Sequence, residues 1–111
     1  MAQTNRADIA ERVTDGRYTF RIESRDVEKR DLIRAFTRAT GQVLLGSFSG
    51  NWEETNELGV TTTMDTRPRR LSVSYDGHDP AALADARRQA ALIRRLLTPE
   101  VAATPQPPAR Q

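Results

Sequence analysis

The stretch Arg17-Tyr18-Thr19-Phe20-Arg21-Ile22-Glu23-Ser24 decides the fold of this chain. Tyr18, Phe20 and Ile22 alternate with Arg17, Thr19, Arg21 and Glu23. Successive side chains of a strand point to opposite faces, so the apolar groups share one side of a half-buried strand. Immediately after it, Ser24 or Asp26 is suited to cap a helix running to about Thr40. Leu32, Ile33, Phe36 and Ala39 form its apolar side, and Gly41 is a natural stop.

Working outward toward the C-terminus, residues 42–54 predict a second strand in which Leu44, Phe48 and Trp52 share a parity. Gly46 and Gly50 between them leave room for a ring or a neighbouring backbone. Residues 55–59 read as a hairpin turn into Val60–Thr66, where Val60, Thr62 and Met64 point one way. Arg67 and Pro68 interrupt the pattern at a strand end, and Leu71, Val73 and Tyr75 mark another alternating strand. Asp76-Gly77 turns the chain, and Asp79-Pro80 caps and starts a helix to about Leu97. In that helix Leu83, Ala86, Ala90, Ile93 and Leu97 recur at three- and four-residue steps along one face.

Toward the N-terminus, residues 1–16 read as an arm with a short helix. Asn5 is its cap, Ile9 and Val13 make one apolar contact, and Asp15-Gly16 closes it with a turn. Residues 98–111 carry four prolines and no periodicity, which predicts a disordered tail. The expected organisation is one α+β domain over 17–97, an antiparallel sheet of about four strands. Its order is β-α-β-β-β-α, with helices 26–40 and 80–97 packed on one face. The inner order α-β-β-β-α also occurs in double-stranded-RNA-binding domains. The last helix here starts Asp79-Pro80-Ala81-Ala82, without the lysines that family places there, so element order is the whole of the likeness.

The chain has 17 Lys and Arg side chains, of which Lys29 is the single lysine, leaving sixteen arginines against 15 acidic residues and a formal charge of +2. A planar, permanently charged guanidinium suits phosphate and carboxylate recognition better than catalysis, so the composition favours binding. The absence of cysteine excludes disulfides, thiolate nucleophiles and Cys-ligated zinc. No signal-peptide or membrane-length apolar run is present, and reducing cytoplasm is the expected setting.

Arg87 and Arg94 lie at one edge of the last helix's polar arc, and Arg88 and Arg95 at the other, with Ala84 and Ala91 between them. The four predict a clamp for phosphates or an acidic surface, although arginines late in a helix also serve simply as a solvated face complementing its dipole. Arg67, Arg69 and Arg70 form a second cluster, suited to a nucleic-acid backbone or to guarding a strand edge. Arg30, Arg34 and Arg38 on the first helix are diluted by Asp26 and Asp31 and read as a solvated stripe. Trp52 beside Glu53, Glu54 and Glu57 reads as part of a thin core, and alternatively as an anchor for a protein contact. His78, the one histidine, sits in a turn between Asp76 and Asp79, too sparse a set for a transition-metal site. Ser47 and Ser49 lack any recognisable base, and no phosphate-loop or dinucleotide fingerprint occurs. The expectation is therefore a small non-enzymatic binding protein without cofactor or metal. It either grips nucleic-acid backbone or engages an acidic protein partner, including a second copy of itself.

Overall fold

The computed structural model describes residues 7–42 and 50–98. The class is α+β, and the sheet is antiparallel, but it has five strands. The elements are β1 (Asp8–Thr14), β2 (Arg17–Glu23), α1 (Lys29–Thr40), β3 (Asn51–Thr55), β4 (Thr61–Thr66), β5 (Arg69–Asp76) and α2 (Pro80–Leu97). They form one sheet in the order β1-β2-β5-β4-β3. After β2 the chain crosses through α1 to the far edge, then returns strand by strand until β5 pairs with β2.

The extra strand is the main correction. Residues 8–14, expected as a short helix in an arm, form an edge strand hydrogen-bonded to β2. Ile9 and Val13 are four apart, a spacing that fits one helical face and one strand face equally well. The decision falls to the turn: Asp15-Gly16 joins Thr14 to Arg17, with Gly16 at φ 81°, the left-handed geometry of a tight two-residue hairpin. The apolar alternation is interrupted at Glu11, which shares its face with Ile9 and Val13.

The strand pattern of residues 17–24 is observed. Tyr18, Phe20 and Ile22 are buried, at about 1.5–3 kcal/mol each for side chains of this size. They face Tyr75, Val73 and Leu71 across the β2–β5 pair. Val60, Thr62 and Met64 are buried as their parity predicts. Both helices lie over this face and against each other, α2 above β2 and β5, α1 above β4 and β5. Of the helical faces expected from spacing, Leu32, Phe36 and Ala39 of α1 and Ala86, Ala90, Ile93 and Leu97 of α2 are buried, Ile33 and Leu83 are half-buried, and Ala35, Ala82 and Gln89 complete the buried sides.

The first helix starts later than its capping residues suggested. Glu28 stands at the cap without a side-chain hydrogen bond, and the Ser24 hydroxyl instead accepts from the Asp26 amide within the connecting loop. Gly41 does end the helix, at φ 79°, with its amide on the Thr37 carbonyl. Asp79 caps α2 by accepting from the Ala81 amide. The strand expected over 42–54 is described only as β3, and Leu44, Gly46 and Phe48 lie outside the described residues, as does the tail beyond Thr98. Among the described residues no helix is long and apolar enough to cross a membrane.

Candidate binding cleft

The basic residues singled out in the sequence meet three different fates. Arg88 donates through Nε and Nη2 to Asp85 Oδ1, at 3.1 and 2.9 Å, and Nη2 lies 3.4 Å from the Ala39 carbonyl at the end of α1. It ties the two helices together. Arg69 donates to the Val27 carbonyl and fastens the loop before α1. Arg70 lies on the sheet face away from the helices, 2.9 Å from Asp65 and 3.6 Å from Glu23. Strand alternation separates Arg69 from Arg70, and Arg67 stays exposed on the turn between β4 and β5, so no 67–69–70 cluster forms.

Arg87, Arg94 and Arg95 come together. They line a cleft of about 290 Å³ between α2 and the β1–β2 edge of the sheet. Phe20, Ala90 and Ala91 supply its apolar lining, Thr98 one end, and Glu11 of β1 the opposite rim. The four-arginine clamp is thus a three-arginine cleft, and Asp85, one turn before Arg88, is what removes the fourth. The i, i+3 spacing of Asp85 and Arg88 was visible in the sequence. The partnership of Glu11 with α2 was not, because it depends on β1 being a strand.

Two supports hold the cleft in shape. On one side, Arg87 stacks its guanidinium over the Tyr18 ring at 5.9 Å from the centroid, and the Tyr18 hydroxyl donates to Glu11 at 2.6 Å. Burial pushes the Tyr18 phenol above the usual tyrosine range, and the neighbouring Glu11 carboxylate pushes it further, against a smaller pull from Arg87. On the other side, Asp85 accepts from Arg88, from the Gln89 amide at 3.0 Å and from the Asn56 amide at 2.8 Å. Gln89 in turn accepts from the buried Thr62 hydroxyl. Partial burial raises the Asp85 carboxyl, but the hydrogen bonds from Arg88, Gln89 and Asn56 outweigh it and hold the group below its ordinary value.

Trp52 is 40% exposed, which corrects the reading of it as core. Its register partner is Met64, so it faces the helix side of the sheet at the β3 edge, and its indole donates to Glu54. His78 lies 3.1 Å from Asp15 where the β1–β2 turn meets the loop before α2. Among the described residues no group of three His, Cys, Asp or Glu side chains is arranged to hold a metal. The chain matches no protein-family model, no curated protein and no solved structure.

Proposed function

We propose that this chain is a non-enzymatic protein-interaction module whose α2–β1 cleft takes an acidic, partly apolar segment of a protein partner. The observation that carries the reading is the joint lining of one cleft by Arg87, Arg94 and Arg95 with Phe20, Ala90 and Ala91. Three guanidinium groups around an apolar floor suit a side-chain-sized insertion flanked by carboxylates. A phosphate backbone asks instead for a train of exposed cations over a longer track, and Arg69, Arg70 and Arg88 are withdrawn from such a track by their intramolecular bonds.

The test is a titration of isotope-labelled protein with a synthetic ten-residue peptide of alternating Glu and Val, beside a single-stranded oligonucleotide and a duplex of equal charge. The reading expects peptide-induced shifts at Ala90, Ala91 and Phe20, lost in the double variant Arg94→Glu, Arg95→Glu. Shifts produced by the nucleic acids alone, fading steeply with salt, would overturn it in favour of backbone binding.

A further inference from the structure

Beside the cleft, β1 is an edge strand, and among the described residues its outer side has no strand partner. It reads Asp8-Ile9-Ala10-Glu11-Arg12-Val13-Thr14, with Val13 52% exposed. Such edges are usually blunted by charge, because an open row of backbone groups recruits another strand. The inward charge here, Glu11, already accepts a hydrogen bond from Tyr18 and stands on the rim of an arginine cleft. It is therefore a weaker barrier to pairing than an isolated carboxylate.

We infer that β1 pairs antiparallel with β1 of a second copy of this chain, joining two five-stranded sheets into one across a two-fold axis. The charge pattern selects the register. Pairs that keep each side chain on its own face differ by steps of two residues, since a one-residue slip exchanges the faces. Glu11 opposite Glu11, or Arg12 opposite Arg12, sets like charges on the axis, which is destabilising. With Ala10 on the axis, Asp8 of each copy stands opposite Arg12 of the other, and this pair forms twice. The same register puts Ile9 opposite the second copy's Glu11 and Ala7 opposite its Val13.

The pairing has a consequence for the cleft. Ile9, Glu11 and Val13 share the face of β1 that carries on from Tyr18, Phe20 and Ile22 toward the helices. The second copy's Glu11 thus arrives two residues along from the first one, on the side where Arg87, Arg94 and Arg95 lie. The acidic partner segment is then a second β1. The inference rests on the reading of this edge as a protein-binding surface and names its occupant. One short strand pair buries little area, so dissociation in the micromolar range is expected.

Sedimentation equilibrium from 5 to 500 µM at physiological salt, about 0.15 M, reads the association. The wild type should pass from monomer to dimer over that range, and Arg12→Asp or Asp8→Arg alone should weaken the dimer roughly 30-fold, since each change acts twice and turns attraction into repulsion. The double variant Asp8→Arg, Arg12→Asp restores the pairing with its charges exchanged and should recover wild-type association. Far-UV circular dichroism checks that each variant is folded. A wild type that stays monomeric, or a dimer indifferent to the single exchanges, overturns the inference. A monomer that still binds the Glu–Val peptide removes the dimer and leaves the cleft reading standing. A charge-dependent dimer that ignores the peptide separates the two in the other direction.

Discussion

The Tyr18 hydroxyl donates a 2.6 Å hydrogen bond to Glu11, the residue diagonally across the β1–β2 pair, while Arg87 lies over the same ring. One phenol thereby links the edge strand, the central sheet and the arginine helix. Its proton is held more firmly in the folded chain than in the unfolded one, where tyrosine titrates near about pH 10. The contribution to stability is complete below that value and declines as pH rises from it toward the folded pKa, by up to about 1.4 kcal/mol per pH unit. Denaturant melts from pH 8 to 11 should show this alkaline loss, and Tyr18→Phe should flatten it while lowering stability at neutral pH by about 1 kcal/mol for the lost hydrogen bond.

Asp85 behaves with the opposite sign. Its folded carboxyl titrates below the ordinary range, so its stabilising contribution is present above the unfolded value of about 3.9 and is lost as pH falls through the folded one. Asp85→Ala should cost about 2–3 kcal/mol in chemical denaturation at pH 7, because it removes the acceptor of the Gln89 and Asn56 amides and leaves Arg88 with the Ala39 carbonyl alone. Its acid unfolding limb below about pH 4 should be correspondingly shallower than that of the wild type.

Arginines on one helix should separate into two behaviours. Arg88→Ala is expected to lower stability by about 1 kcal/mol through its bonds to Asp85 and Ala39, with Glu–Val peptide affinity nearly unchanged. Arg94→Ala and Arg95→Ala should leave the thermal midpoint within about 2 °C and reduce peptide affinity. Melting curves paired with titrations of the three variants would expose the opposite pattern if the cleft were misassigned.

Gly16 is the residue on which the edge strand hangs. Its φ of 81° disfavours any side chain, and a Cβ there would approach the His78 ring to 3.2 Å. Gly16→Ala should therefore destabilise by about 1–2 kcal/mol, with amide exchange rising first in residues 8–14. Uniform loss of protection across the whole sheet would show that β1 does not open separately.

The elements legible in the sequence were those with one clean period. Tyr18-Phe20-Ile22 and Leu71-Val73-Tyr75 alternate without exception, and the α2 face keeps its three- and four-residue steps from Leu83 to Leu97. β1 was hidden because Ile9 and Val13 satisfy two periods and Glu11 breaks the alternation for a reason that exists only after folding, its bond to Tyr18. The same blindness covered the site. Helical geometry placed four arginines on one arc, but which of them reach a cleft depends on Asp85, Ala39 and β1, contributed by three elements. Trp52 stands opposite Met64 on the helix side of the sheet yet at its edge, where facing the right side does not by itself bring burial.

The central pairing of β2 with β5 joins Tyr18 to Tyr75, positions separated by α1, β3 and β4. Closing so long a loop carries an entropic cost that local hairpins and helices do not meet. The β3–β4–β5 meander and the β1–β2 hairpin are both local, and that pairing merges their apolar faces into the one surface that α1 and α2 cover. A nascent chain emerging from the ribosome cannot complete this sheet before Asp76 is free, and the arginine cleft needs the chain through Thr98 as well.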